Sequence, residues 1–320
     1  MRHMKKKKDL KLVKKNTKGV AVALCLSLFA AMALGSGSAE SEGGKDIVAS
    51  DKNDTKTEDS NGNTKEKESA KASKVTIEEQ ELVNQNDIVV TAKEYVNDEI
   101  WGDGINLVLE NNSTKDVTVS CNALIVNDYM ITDLFVSEVA AGKKANETVY
   151  LSSSELKAAG IDTVGKVEIY FHVYDSASYD TIFDTDVVTI QTSEFANMDT
   201  TPKDAGTELY NEGGIRIVGK TVDEDSFWGT AILLYIENNS GKNVGISVDN
   251  MSINGFMMNP LFTSTVYNGK KAIDDITILS TDLEENGIET VEDVELKFHI
   301  YDEDSYNTIA DTDAITFSAK

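Results

Sequence analysis

The chain contains the same domain twice. Residues 81–191, shifted by 127 positions onto residues 208–318, align without a gap, and about 47 of roughly 111 positions are identical. Each copy must therefore fold in the same way around its own core, and about 110 residues can bury such a core. An intramolecular disulfide is not available to either copy, because Cys121 is the only cysteine in them.

Each copy has the pattern of a series of short β-strands. Apolar and polar residues alternate with a period of two, and turn residues separate the segments. In the first copy the predicted strands are 87–96, 104–110, 117–126, 129–136, 146–151, 166–174 and 181–190. Asn127-Asp128 predicts a tight hairpin, and "SSSELKAAGI", with Gly160 near its end, predicts one short helix.

This order of elements predicts an all-β fold class, with two tandem immunoglobulin-like β-sandwich domains of about seven strands each. A small barrel is the alternative. The apolar residues that alternate along 166–174 are expected to face the core. By the same alternation Asp184 and Asp186, like Asp311 and Asp313, would face the core, where a carboxylate is costly, so we expect a β-bulge or strand edge there.

The N-terminus has the composition of an export signal. Residues 1–39 combine a basic segment, an apolar run of roughly 15 residues and a small-residue site ending at Ala39, which predicts a cleaved signal peptide. Retention as a membrane anchor is the alternative. Residues 40–74 have scarcely any large apolar side chains and predict a disordered stalk. The remaining chain divides into repeat 1 (75–191), a linker (192–207) and repeat 2 (208–320).

The exported part is strongly acidic. The whole chain has a formal net charge of −25, and removal of the nine basic residues and one acidic residue of 1–39 leaves the rest near −33. Such a charge argues against nucleic acid as a partner and leaves the membrane as a partner only through an uncleaved N-terminus. It is compatible with a calcium ion or a basic ligand.

Five phrases of the repeats, "IENNS", "NGFMM", "AGKKAN", "SSSELKAAGI" and "YDEDSY", resemble an immunoglobulin-like, telokin-like extracellular domain of Gram-positive secreted proteins and lipoproteins. The resemblance covers both repeats, from about Glu81 to the C-terminus. It implies an immunoglobulin-like fold and an exported protein, either extracellular or at the cell surface of a Gram-positive-type bacterium. It brings no catalytic residues to this sequence.

The residues themselves favour a protein without enzymatic activity or cofactor. His172 and His299 alternate with the predicted core residues of their strands, so they are expected on a solvated strand face. Cys121 aligns with Val248 and is expected to act as a small core residue. A secreted hydrolase that uses carboxylates between the repeats is a less favoured alternative.

Two tryptophans occupy equivalent loops. Trp101 and Trp228 are each followed by glycine between the first two predicted strands of a repeat. We favour a plug at one end of the sandwich. A sugar-stacking platform is the alternative, and it would make the chain a pair of carbohydrate-binding modules.

Antiparallel strands place three loops of each repeat at one end, and this loop end is the candidate binding surface for an unidentified protein or cell-envelope ligand. Calcium is the weaker ligand hypothesis, because the acidic loop lacks the D-x-D-x-D-G spacing. The candidate residues of the two loop ends are Asn111, Asn112, Lys143, Lys144, Asp175, Tyr179, Asn238, Asn239, Lys270, Lys271, Asp302 and Tyr306.

Overall fold

The computed structural model describes residues 45–48, 74–132 and 134–319. The predicted signal peptide and most of the predicted stalk lie outside these residues. Repeat 1 contains ten strands and the helix α1 (Ser153–Ala158). Its strands are β2 (Gln80–Gln85), β3 (Ile88–Asp98), β4 (Gly102–Asn111), β5 (Val117–Val126), β6 (Tyr129–Ile131), β7 (Val136–Val139), β8 (Lys143–Tyr150), β9 (Lys166–Asp175), β10 (Thr181–Asp184) and β11 (Val188–Gln191).

Two antiparallel sheets of repeat 1 pack face to face. One sheet has the order β2-β3-β4-β8, and in the other β5 pairs with β6, β7 and β9, while β9 also pairs with β10 and β11. The core between them includes Leu107, Leu124 and Phe171, all fully buried. Alternation along β9 buries Val167, Ile169, Phe171 and Val173 as predicted, because successive strand residues point to opposite faces.

Repeat 2 has the same architecture. It begins after a short 3-10 helix (Phe195–Asn197) and contains the helix α2 (Ser280–Glu285). Its strands are β12 (Thr207–Glu212), β13 (Ile215–Ser226), β14 (Gly229–Asn238), β15 (Val244–Ile253), β16 (Phe256–Met257), β17 (Thr263–Val266), β18 (Lys270–Leu279), β19 (Asp293–Asp302), β20 (Thr308–Asp311) and β21 (Ile315–Ala319).

Both helices end as the sequence predicts. Gly160 and Gly287 have φ angles of 65° and 67°, a left-handed conformation that glycine adopts without strain. The N–H of Ile161 donates to the carbonyl of Leu156 at 2.8 Å, and Ile288 does the same to Leu283 at 2.9 Å. These helix ends return the chain to the sandwich.

The strand count differs from the predicted seven. The sequence did not reveal β2, and two predicted strands are each divided, one into β6 and β7 and the other into β10 and β11. The second division confirms the expected irregularity at the aspartates. A register shift lies between Thr181 and Phe183, β10 stops at Asp184, and Asp184 and Asp186 are exposed. The carboxylates thereby avoid the core.

The strand β1 (Lys45–Val48) corrects part of the stalk prediction. It pairs antiparallel with β13, at Lys45–Val222, and with β21, at Ile47–Ala319, in repeat 2. The composition of 40–74 predicted disorder throughout, but Ile47 and Val48 form a short pair of β-branched residues with high strand propensity. Among the described residues, no helix is both long enough and apolar enough to cross a bilayer.

Candidate functional site

The two repeats are packed head to tail through charged groups. The Nζ of Lys270 in repeat 2 lies 2.6 Å from Glu168 and 3.0 Å from Asp128 in repeat 1. Lys166 completes this charged cluster, at 2.7 Å from Asp128 and 3.1 Å from Glu168. Burial alone would lower the pKa of Lys270, but its hydrogen bonds to the two carboxylates raise it overall. Lys270 therefore keeps its charge in the folded protein.

Aromatic rings and backbone atoms flank the charged cluster. Tyr170 of repeat 1 and Tyr267 of repeat 2 make an edge-to-face contact with ring centroids 5.0 Å apart. Lys271 lies over the ring of Tyr129 at 5.4 Å, and its backbone N–H donates to the carbonyl of Asp128 at 2.9 Å. The loop end of repeat 2 thus packs against the end of repeat 1 that carries the Asn127-Asp128 hairpin.

This contact changes the predicted site in repeat 2. Lys270 and Lys271 were expected on an exposed binding end, but the side chain of Lys270 is only 14 % exposed, and both residues contact repeat 1. Asn239 and Tyr306 of the same loop end remain exposed. The two loop ends are therefore not equivalent, and only that of repeat 1 lies at the end of its sandwich away from the other repeat.

A difference between the copies marks the interface. Tyr267 corresponds to Ala140 in repeat 1, while Asp128, Tyr170 and Lys166 correspond to Gly255, Lys297 and Asp293 in repeat 2. The prediction from sequence emphasised positions at which the copies agree and so missed these residues. Aromatic or charged residues present in only one copy would have indicated where the repeats touch.

Buried asparagines shape both loop ends. The Nδ2 of Asn111 donates to the carbonyls of Lys115 and Val139 at 2.7 and 2.8 Å, and its Oδ1 accepts from the N–H of Ser113 at 3.0 Å. Asn238 makes the equivalent bonds in repeat 2. Both side chains are fully buried. The two asparagines therefore hold the loops in place and do not present their amides to a ligand.

The acidic loop is tied to the neighbouring loop by a lysine. Asp175 accepts the Nζ of Lys115 at 2.7 Å and the N–H groups of Ala177 and Ser178 at 3.0 and 3.1 Å. Lys115, followed by these N–H groups, lowers the pKa of Asp175 to about 2. Asp302 pairs with Lys242 at 2.6 Å in the same way, and its pKa is also lowered. Both aspartates are buried and orient the loops.

Of the six candidate residues at the repeat 1 loop end, Asn112, Lys143, Lys144 and Tyr179 are exposed. Lys144 forms an ion pair with Glu110 at 2.8 Å while its side chain remains 63 % exposed. Tyr179 is 76 % exposed. We call these four residues the repeat 1 loop face. It presents two ammonium groups, an amide and an aromatic ring.

Tyr179 is held in an unusual backbone conformation. Its φ angle is 60°, which side-chain-bearing residues rarely adopt, and Tyr306 has a φ of 56°. The ring of Tyr179 stacks on that of Tyr174 at 6.1 Å, and Tyr306 stacks on Tyr301 at the same distance. The ring contact fixes the exposed tyrosine in both copies.

Each repeat also has a histidine–aspartate pair on the outer face of a strand. The Nδ1 of His172 lies 2.6 Å from Oδ1 of Asp184, and His299 lies 2.6 Å from Asp311. The Nδ2 of Asn122 donates to the same oxygen of Asp184 at 2.9 Å. The histidines lie on the outer strand face that the alternation predicts, but the sequence did not reveal their aspartate partners.

The tryptophans do not plug the sandwich, so the favoured prediction is wrong. Trp101 is 60 % exposed and Trp228 is 46 % exposed. Asp98 fixes the first loop, because its Oδ1 accepts the N–H groups of Ile100 and Trp101 at 2.8 and 2.9 Å. The ring centroids of Trp101 and Tyr150 lie 5.9 Å apart.

Cys121 packs against the core of repeat 1, as its alignment with an apolar residue predicts.

Within the described part of the chain, no group of three or more His, Cys, Asp or Glu side chains is arranged to hold a metal ion. The carboxylates of Asp175 and Asp302 are already directed at lysine and backbone N–H groups. The calcium hypothesis thus has no preformed ligand set at these two residues.

The order of the sheets defines each repeat as an immunoglobulin-like sandwich. Strands β3, β4 and β8 form one layer, and they correspond to the first, second and fifth strands of an immunoglobulin domain. Strands β5, β9 and β10–β11 form the other layer, and they correspond to the third, sixth and seventh. The fourth strand, β6–β7, lies beside β5. No protein-family model and no curated protein sequence matches the chain.

Solved structures that are similar to the chain at low identity include the following three. The YadV chaperone has 12% identity and a TM-score of 0.22, with coverage of 71% of this chain and 98% of the chaperone. The SafA pilin of Salmonella enterica in complex with the SafB chaperone has 8% identity and a TM-score of 0.20, with 67% and 88% covered. A protein of unknown function from Porphyromonas gingivalis W83 has 10% identity and a TM-score of 0.18, with 68% and 89% covered. The TM-scores are low, so the fold assignment rests on the sheet order above.

Proposed function

We propose that the chain is a non-enzymatic, exported binding protein whose repeat 1 loop face engages a protein or cell-envelope partner. The resemblance to telokin-like extracellular domains of Gram-positive bacteria and the signal-like residues 1–39 support export. Asn111 and Asp175 are buried and hold the loops, so the predicted site narrows to the exposed residues Asn112, Lys143, Lys144 and Tyr179.

The contact between the repeats carries this proposal. In this contact the loop end of repeat 2 packs on a folded surface, that of repeat 1, through Lys270 and Lys271. Their counterparts in repeat 1 are Lys143 and Lys144, which are exposed. A surface that combines carboxylates with an aromatic ring, like the one around Glu168, would complement these lysines.

A charge-reversal experiment tests the repeat 1 loop face. The protein from residue 40 onward, with Lys143→Glu and Lys144→Glu, is compared with wild type for capture of partners from cell-envelope extracts. Lys157→Glu is the matched control, since Lys157 is an exposed lysine on α1, away from the loop face. We expect partners retained by wild type and by the control to be lost from the double variant. Equal capture by all three proteins would contradict the proposed site.

Export has its own test. Mass measurement of the protein recovered from culture medium and from membranes should show a chain that begins at Glu40 in the medium. Recovery of only the full-length chain from membranes would instead support the anchor. This result is independent of the binding experiment.

Exposure of Trp101 and Trp228 favours a second candidate function, in which the aromatic rings bind polysaccharide. Ring faces pack against the apolar side of sugars. Titration with purified cell-wall polysaccharides should then change tryptophan fluorescence in wild type. Isothermal titration calorimetry, which does not depend on tryptophan emission, should show that Trp101→Ala with Trp228→Ala abolishes binding. Unchanged binding in the double variant would exclude these rings as the platform.

A further inference from the structure

Repeat 1 closes the gap between its two sheets with the segment that immediately precedes it. Ile77 pairs antiparallel with Thr192, directly after the last strand β11. The N–H of Ser193 donates to the carbonyl of Thr76 at 2.8 Å. Val75 and Ile77 are partly buried and pack against the core. The lead-in thus forms part of the sandwich.

The corresponding lead-in of repeat 2 lacks these properties. Val75 and Ile77 correspond to Pro202 and Asp204. Proline has no N–H to donate to a strand, and Asp204 accepts the Nη1 of Arg216 at 2.6 Å. Lys203, between them, donates its backbone N–H to the hydroxyl of Tyr129 in repeat 1 at 3.2 Å. The linker is therefore occupied elsewhere and does not fill the gap of repeat 2.

In repeat 2 the distant strand β1 takes the place that the lead-in takes in repeat 1. Ala319 is the counterpart of Thr192, and it pairs with Ile47 as Thr192 pairs with Ile77. The strand extends from this point to β13, where Lys45 pairs with Val222. Two sheets of repeat 2 are joined by a segment that lies before repeat 1 in the sequence.

We propose that the gap between β13 and β21 of repeat 2 is an acceptor site for an extended peptide strand, and that Lys45–Val48 of the same chain is its built-in ligand. The ligand class is an extended segment with β-branched residues, recognised by main-chain pairing with two strand edges. The site is open to β1 because the second repeat lacks the apolar lead-in that completes the first.

Chain length favours occupation by the same molecule. The twenty-five residues 49–73 connect β1 to repeat 1 and can span at most about 85 Å. A strand as long as β13 covers about 40 Å, so this segment can reach past the length of a sandwich strand to repeat 2 of the same molecule. A tether of this kind gives an effective concentration on the order of millimolar. Four paired residues offer few main-chain contacts, so an untethered copy of the strand competes only at high concentration.

Disulfide trapping tests the occupancy. In a Cys25→Ser, Cys121→Val background, Ile47→Cys is combined with Ala319→Cys, and the product of mild copper-phenanthroline oxidation is analysed on gels and by mass spectrometry. Ile77→Cys with Thr192→Cys is the matched positive control, and Ile47→Cys with Thr192→Cys is the mismatched control. Antiparallel partners lie close enough for a disulfide.

We expect a monomeric cross-link in the 47–319 pair, with a yield within about twofold of the 77–192 pair, and at least tenfold less in the mismatched pair. A yield no higher than that of the mismatched pair would overturn the proposal. A cross-linked dimer would show that the strand is exchanged between copies and would overturn occupation within one molecule.

A peptide experiment tests the acceptor site itself. Ile47→Pro removes an N–H and should release β1. A fluorescent peptide with the sequence of residues 44–50 should bind this variant at least tenfold more tightly than wild type, measured by anisotropy, and the same peptide with proline at the isoleucine should not bind. Absence of binding to the variant would overturn the acceptor site, whatever the outcome for the loop face of repeat 1.

Discussion

Lys270 and Glu168 lie 2.6 Å apart across the boundary between the repeats, and both side chains are largely buried. Lys143, the counterpart of Lys270, is exposed in repeat 1. The same position of the duplicated domain therefore contacts the other repeat in one copy and is exposed to solvent in the other. The same sequence phrase, "GKKA", serves both purposes because its surroundings differ.

The first prediction concerns this pair. Lys270→Met should lower the free energy of unfolding by about 1–3 kcal/mol, because Glu168 and Asp128 would lose a buried cationic partner. Lys143→Met is the control and should change the free energy by less than about 0.5 kcal/mol. Denaturant unfolding measures both values. Equal effects would mean that the ion pairs of Lys270 with Glu168 and Asp128 add nothing to stability.

The second prediction separates adjacent asparagines. Asn111→Ala should cost about 2–3 kcal/mol of unfolding free energy, because the carbonyls of Lys115 and Val139 would lose their donor inside the loop end. Asn112→Ala, at an exposed side chain, should have little effect. Thermal unfolding of the two variants checks this difference. A stable Asn111→Ala protein would show that the loop has another means of support.

Much of the sandwich follows from local sequence. Period-two alternation places Val167 to Val173 on the core face, and Gly160 ends a helix because left-handed backbone is cheap only for glycine. The contact between Lys270 and Glu168 could not be predicted in this way. It joins residues 102 positions apart and depends on which side chains differ between the copies.

The N-terminal strand shows a second limit of the sequence. An average over residues 40–74 predicts disorder, but a four-residue strand needs only a short β-branched segment and an open sheet edge. The open edge is in repeat 2, and its cause lies in Pro202 and Asp204. No property of the segment itself indicates that distant edge.

The third prediction follows from the exposed tryptophans. Trp101 and Trp228 are the only tryptophans, so emission of the folded protein should resemble that of tryptophan in water and should shift little on unfolding. Acrylamide should quench the folded and unfolded protein to a similar degree. The variants Trp101→Phe and Trp228→Phe separate the two contributions. A large red shift on unfolding would mean that the tryptophans are buried in the folded protein, as the plug hypothesis requires.

The fourth prediction is a dependence on pH at the acidic loop. Lys115 and the backbone N–H groups lower the pKa of Asp175 to about 2 in the folded protein, below its ordinary value of 3.8. The folded state therefore binds this proton less readily than the unfolded state. The stabilisation is fully present above about pH 4 and is lost as the pH falls toward 2.

Carbon-detected NMR titration of the Asp175 carboxyl tests this directly, with Lys115→Met as the decisive variant. Removing the ammonium group should raise the pKa of Asp175 toward its ordinary value, although the N–H groups of Ala177 and Ser178 will keep it from rising fully. Lys157→Met, which alters an exposed lysine on α1, should leave the titration unchanged. If Asp175 titrates near 3.8 in wild type, Lys115 does not hold the two loops together in solution, and the loop end must be held by its other contacts, those of Asn111 among them.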